Sequence, residues 1–95
     1  MEQQEDNLVI TTRQVFHQGF PILHIRHEFD GDWQVLGEQD ITEEDALVVS
    51  VAKIYKLDLT TKTALEIPRG YEAYRKSATD KWIISKIVVE ENNMR

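Results

Sequence analysis

The apolar positions of this chain fall mostly in short runs with a period of two, which predicts a protein built largely from β-strands. Residues 8–15, with Val9, Ile10, Thr11, Thr12 and Val15, read as a first strand turned by His17-Gln18-Gly19. Residues 20–29 read as a longer second strand. Leu23, Ile25, His27 and Phe29 share one face, expected to meet the core, while Ile22, His24, Arg26 and Glu28 share the other. Asp30-Gly31 is a hairpin signal, because glycine accepts positive φ, and it returns the chain into Trp33-Gln34-Val35-Leu36. Loop length decides which side chains meet, since a one-residue slip moves each of them to the other face. A three-residue loop of Asp30, Gly31 and Asp32 sets Phe29 opposite Trp33 and His27 opposite Val35. It is preferred to a two-residue loop that sets Trp33 against Glu28. Gly37 ends the strand.

Residues 41–45 predict a short helical turn in which Thr42 caps free amides and Glu43, Glu44 and Asp45 suit the positive end of the helix dipole. The run Ala46-Leu47-Val48-Val49 is too short and too β-branched for a helix, so it predicts a strand buried on both faces. Ser50 reads as the N-cap of a helix over 51–57, with Val51, Ile54 and Tyr55 on its apolar side. Asp58 is placed to cap a second short helix reaching Ala64. Pro68-Arg69-Gly70 then turns the chain into a strand over 71–75, with Tyr71, Ala73 and Arg75 on one face and Glu72 and Tyr74 on the other. A polar connection over 77–81 leads to Trp82, which opens a last strand rich in β-branched residues and running to Val89. The expected fold class is α+β: one domain over 1–95, mainly an antiparallel sheet of about five or six strands with one or two short helices on one side. Its ordered core is expected over 7–89, with frayed ends at 1–6 and 90–95.

Composition narrows the function classes. A chain of 95 residues suits a single core that buries roughly 60 to 65% of the surface exposed by the unfolded form. Without cysteine there is no disulfide framework, thiolate nucleophile or cysteine-based zinc site, which fits a reducing, cytoplasmic setting. The first residues are acidic and polar where a secretory signal is basic and then apolar, and no apolar run approaches membrane-spanning length. A formal net charge of −6 disfavours nucleic acid and favours a partner with a basic site. The acids concentrate at Glu38, Asp40, Glu43, Glu44 and Asp45, whereas Arg69, Arg75, Lys76 and Lys81 lie toward the C-terminus. A solvated acidic loop that aids solubility explains the same cluster.

Candidate chemistry is sparse. His24 and His27 lie on opposite faces of a strand at this spacing, which argues against a shared metal site, and the acidic stretches lack the spacing of a calcium loop. No metal or cofactor is expected. His27, Asp30, Asp32 and Trp33 form a candidate functional cluster: His27 is either a proton-transfer group or a histidine that bonds a turn carboxylate and pins the hairpin. No nucleophile elbow, phosphate-binding glycine loop or dinucleotide fingerprint is present. Trp33, Trp82, Tyr71 and Tyr74 serve as core anchors or as a recognition surface, with Tyr74 the more exposed.

Taken in order, His27-Glu28-Phe29-Asp30-Gly31-Asp32-Trp33-Gln34-Val35-Leu36-Gly37, Asp45-Ala46-Leu47-Val48-Val49-Ser50, Ile67-Pro68-Arg69-Gly70-Tyr71-Glu72-Ala73-Tyr74-Arg75 and Trp82 resemble a group of small bacterial domains of unknown function. Related members of that group are described as immunity proteins of polymorphic toxin systems. The chain departs from the pattern at Val35, where an aromatic residue is usual, and in continuing past Trp82. The resemblance implies a fold and a bacterial, cytoplasmic origin. From the acidic cluster itself, the expected function is a non-enzymatic protein-binding module, of the immunity type, that docks a basic protein site through Glu38, Asp40, Glu43, Glu44, Asp45 and Tyr74. Two alternatives stand beside it: a small hydrolase or metal-assisted enzyme using His27, Asp30 and Asp32, and a homodimer formed through the C-terminal strand.

Overall fold

A computed structural model describes residues 7–38 and 42–88. The predicted frayed ends at 1–6 and 90–95, and with them Asp40, Ile41 and Val89, lie outside the described residues. The elements run β1 (Leu8–Thr12), α1 (Arg13–Gln18), β2 (His24–His27), β3 (Trp33–Leu36), β4 (Ala46–Ser50), α2 (Val51–Leu57), β5 (Tyr71–Tyr74) and β6 (Ile83–Lys86). Short 3-10 turns occupy Glu43–Asp45, Leu59–Thr61 and Ala64–Glu66. The strands form one six-stranded sheet in the order β4-β1-β3-β2-β5-β6. Every neighbouring pair is antiparallel except β1 with β3. This is the expected α+β domain. No helix among the described residues is long and apolar enough to cross a membrane.

The first departure from the sequence pattern is α1. The β-branched run continues to Val15, but the Thr12 hydroxyl accepts from the Val15 N–H at 3.2 Å and starts a helix where a strand was expected. Gly19, at φ 77°, closes that helix by donating its N–H to Gln14 O. Val15 is thereby carried into the core. β2 is shorter than the predicted span 20–29, since Pro21 offers no N–H for a ladder and Phe29 has left the sheet. Ile22 and Leu23 are both buried, which strict strand alternation forbids.

The hairpin between β2 and β3 corrects the predicted register while keeping its parity. Glu28 N–H donates to Asp32 O at 2.7 Å and Gly31 N–H to Glu28 O at 3.0 Å, so the loop residues are Phe29, Asp30 and Gly31. The loop has the expected length but begins one residue earlier. His27 consequently faces Trp33 rather than Val35, and Ile25 faces Val35. Because the shift in pairing is two residues, each side chain stays on its predicted face, except that Phe29 is 57% exposed instead of entering the core.

One face of the sheet carries the core: Val9, Ile25, Trp33, Val35 and Ala73 meet Val15 of α1, Val51 and Ile54 of α2, and Ala64 and Leu65 of the last 3-10 turn. Helix α2 occupies the predicted residues. Ser50 caps it by accepting from Lys53 N–H at 3.3 Å, and Val51 and Ile54, three apart, turn the same side inward. Full burial of an Ile or Val side chain contributes about 1.5–3 kcal/mol, so these contacts, not the intrinsic stability of a seven-residue helix, hold α2 in place. Asp58 caps the turn Leu59–Thr61 through Thr60 N–H; in place of one short helix to Ala64 the chain makes two 3-10 turns. β4 overturns the expectation of burial on both faces. It pairs only with β1, forms one edge of the sheet, and leaves Val48 64% exposed.

Candidate functional site

The residues singled out by sequence fall into three places on the fold. The first is the tip of the β2–β3 hairpin, which interlocks with the loop at Pro68-Arg69-Gly70. Gly31 has φ 101° and Gly70 has φ 84°, conformations that disfavour other residues. Each glycine also makes room for a large side chain beside the other: a Cβ on Gly31 would lie 2.9 Å from the Arg69 guanidinium, and one on Gly70 would lie 2.9 Å from the Phe29 ring. Gly70 N–H donates to His27 O at 2.7 Å, joining the two loops through the backbone.

His27 is the pivot of this joint. Its ring stacks on Trp33 with centroids 3.8 Å apart and planes 14° apart, and Nδ1 lies 2.9 Å from Ile67 O. A carbonyl can only accept, so Nδ1 carries a proton and donates it to Ile67 O. The predicted pinning role therefore takes another partner: the histidine bonds a main-chain carbonyl, not a turn carboxylate. Asp30 instead accepts from Asp32 N–H at 3.0 Å within the turn, and among the described residues no hydrogen bond or ion pair joins His27 to Asp30 or Asp32. His27, Trp33, Gly31, Glu66 and Arg69 line an open cleft of about 370 Å³, which neither Asp30 nor Asp32 enters. Among the described residues no three His, Cys, Asp or Glu side chains converge on a metal position.

The second place is Arg75, which the sequence put on a strand face and in the motif that ends at Trp82 but gave no site role. It is 1% exposed, and its guanidinium spends its donors on Ile22 O at 3.0 Å, Thr60 Oγ1 at 2.9 Å and Asp58 Oδ2 at 2.7 Å. Trp82 covers the guanidinium face at 4.1 Å and donates its own N–H to Thr60 O at 2.9 Å. Burial alone would raise the Asp58 carboxyl, but hydrogen bonds from Thr60 and Arg75 and the positive charge of Arg75 outweigh it and hold the group below its ordinary value. The late tryptophan and the arginine seven residues before it form one structural unit, and they fasten β5 to the 3-10 turn after α2. The available signals were an alternating strand that ends in arginine and the place of Arg75 and Trp82 together in the motif set.

The third place is the sheet face turned away from the core. It carries His24, Arg26, Gln34, Glu72 and Tyr74, with His24 Nε2 at 2.8 Å from Glu72 Oε1 and Arg26 Nε at 2.9 Å from Glu28 Oε2. Tyr74 is 48% exposed beside this network, its ring edge-on to His24. His24 and His27 lie on opposite faces, as their spacing implies. The acidic turn sits at the far edge of the same sheet, leading into β4. From there Tyr74 on β5 is four strand spacings away, about 19 Å.

The predicted acidic residues divide into two groups. Glu38, Glu43 and Glu44 are exposed and make no ion pair among the described residues. Asp45 is engaged inside the protein: Gln14 Nε2 and Thr42 Oγ1 each donate to it at 3.0 Å, and Arg13 Nε lies 3.6 Å away. The hydrogen bonds from Gln14 and Thr42, followed by the charge of Arg13, hold its carboxyl below the ordinary value. Arg13 also donates to Glu44 O at 3.0 Å, so the turn is tied to α1. Thr42 thus bonds the Asp45 side chain and makes no cap to the backbone. Compared with known proteins, the chain matches no family model, no curated protein and no solved structure.

Proposed function

We propose that this protein is a non-enzymatic protein-binding module of the immunity-protein type, docking a partner that presents a basic surface. The observation that carries this reading is the uncovered sheet face, polar and ion-paired at its centre, with Tyr74 at one side and the unpaired acids Glu43 and Glu44 at the other. The separation of about 19 Å between them fits within one standard interface of roughly 800 Å² per partner. Exposed carboxylates steer a basic partner toward the face, and Tyr74 supplies a rigid aromatic anchor. Asp45 shapes the turn and takes no direct part in docking. His27 is a structural residue, its Nδ1 committed to Ile67 O.

Affinity capture from the native host, with the bound protein identified and then purified, tests the reading. The wild-type chain is expected to retain a protein with a basic surface, released by raised salt. Glu43→Gln with Glu44→Gln is expected to weaken binding about tenfold and flatten its salt dependence, while Tyr74→Ala weakens it at every salt concentration. Binding insensitive to salt and to both variants would refute the proposal.

A further inference from the structure

We propose that β6 is the interface of a closed homodimer in which two copies join their β6 strands edge to edge, antiparallel, about a twofold axis at Ser85. β6 is the second edge of the sheet, and all its residues are exposed; Ile83 is 65% and Ile84 49% exposed, and Val88 just beyond is 84% exposed. The strand Ile83-Ile84-Ser85-Lys86 holds no proline, glycine or acid, so Lys86 is its one guard against edge pairing.

The hydrogen-bond phase of β6 is set by its inner neighbour. Ile87 N–H donates to Gly70 O at 2.8 Å, and Glu72 and Tyr74 face Ser85 and Ile83. By alternation the main-chain groups of Ser85 and Ile83 turn toward β5, and those of Ile84 and Lys86 turn outward, unpaired within the protomer. A twofold at Ser85 lets Ile84 of each copy exchange both its bonds with Lys86 of the other. The same register sets Ile83 against Ile87 and Trp82 against Val88 across the axis, covering the apolar side chains that a single copy exposes. No like charges stand directly opposite each other, the two copies of Lys86 being diagonal neighbours two positions apart.

Charge placement favours this edge over the other. The acidic turn adjoins β4 at the opposite side of the sheet, so pairing through β6 keeps the two acidic edges at the ends of one continuous sheet. Such an interface is isologous and closes at two copies. It leaves the acidic turn and the face around Tyr74 free, and it stands whether or not those bind a partner.

Light scattering on the eluting protein, and sedimentation equilibrium up to about 1 mM, read the outcome directly. The expected mass is twice the chain mass of 11.1 kDa. Ile84→Pro removes only an outward N–H and is expected to give the single-chain mass with unchanged circular dichroism. Should that variant fail to fold, two others carry the test. Ile84→Lys sets like charges against Lys86 of the partner copy and is expected to weaken the dimer at least about tenfold, whereas Ile84→Glu sets opposite charges there and keeps it. A single-chain mass for the wild type at all concentrations overturns the proposal, as does a dimer indifferent to Ile84→Lys. Species that keep growing with concentration would mean open-ended pairing of β6 with β4 and would also overturn it.

Discussion

Replacing Arg75 with methionine should cost about 3–4 kcal/mol, a large share of the roughly 5–14 kcal/mol that a chain of 95 residues holds in reserve. The substitution keeps most of the buried aliphatic volume and removes the guanidinium, with its bonds to Ile22 O, Thr60 Oγ1 and Asp58 and its stack on Trp82. Ile22 O and Asp58 are then left without their donor. Loss of one partner from a fully buried ion pair costs about 3–5 kcal/mol, and the lower part of that range applies because the Asp58 side chain is 22% exposed and water can reach it. The melting temperature should fall by roughly 12–32 °C, given about 4–8 °C per kcal/mol in a domain of this size. Urea denaturation followed by tryptophan fluorescence and by circular dichroism gives the free energy from two probes. Adding Asp58→Asn to Arg75→Met should recover about 1–2 kcal/mol, since the stranded carboxylate is then neutral. A cost below about 1 kcal/mol for Arg75→Met, or full additivity of the two substitutions, would refute the assignment of Arg75 as the fastening of β5.

The depressed carboxyls of Asp58 and Asp45 make stability pH-dependent. A carboxylate whose folded-state pKa lies below its unfolded value of 3.8 contributes fully above that value, and the contribution is lost as pH falls through the folded pKa. Urea midpoints should therefore hold near neutrality and fall on acidification below about pH 4, and Asp58→Asn should flatten that fall; parallel curves for the variant and wild type would contradict it. Gly70→Ala should cost about 2–3 kcal/mol, because strained positive φ is compounded by contact with the Phe29 ring, whereas Gly31→Ala meets only the exposed guanidinium end of Arg69, which can swing aside, and should cost about 1 kcal/mol. Gly19→Ala, at φ 77° but with nothing within 4 Å, should cost only about 1 kcal/mol in the same urea titration. Adding Phe29→Ala to Gly70→Ala should relieve the contact and leave the cost of the backbone conformation.

Local patterns along the chain were enough for the fold class and for the elements whose partners lie close in sequence. Helix α2 could be read because its cap, Ser50, and its apolar spacing at Val51 and Ile54 act within one or two turns. The faces of β2, β3 and β5 could be read because alternation is a property of the backbone, and they survived even a displaced hairpin loop. Helix α1 could not be read from its β-branched run: the Thr12 cap and the burial of Val15 against distant strands outweigh the local preference. Exposure of β4 was equally hidden, since being an edge depends on which strands the remainder of the chain supplies, and a run of Leu and Val is the same whether one neighbour or two lie beside it.

The charged residues show the same division more sharply. Their acidic excess and its clustering are in the chain itself, but Asp45 turns to Gln14 and Arg13 while the Glu43 and Glu44 side chains stay free, a distinction made by contacts 31 and 32 residues apart in sequence. Asp-Gly and Pro-Arg-Gly mark two separate turns until folding sets Arg69 over Gly31 and Phe29 over Gly70. Arg75 is the clearest case. Nothing near it in sequence separates a buried, fully bonded arginine from a solvated one. Ile22, Asp58, Thr60 and Trp82 converge on it only when β5 docks beside β2, because a guanidinium can leave water only where a complete set of acceptors is already assembled.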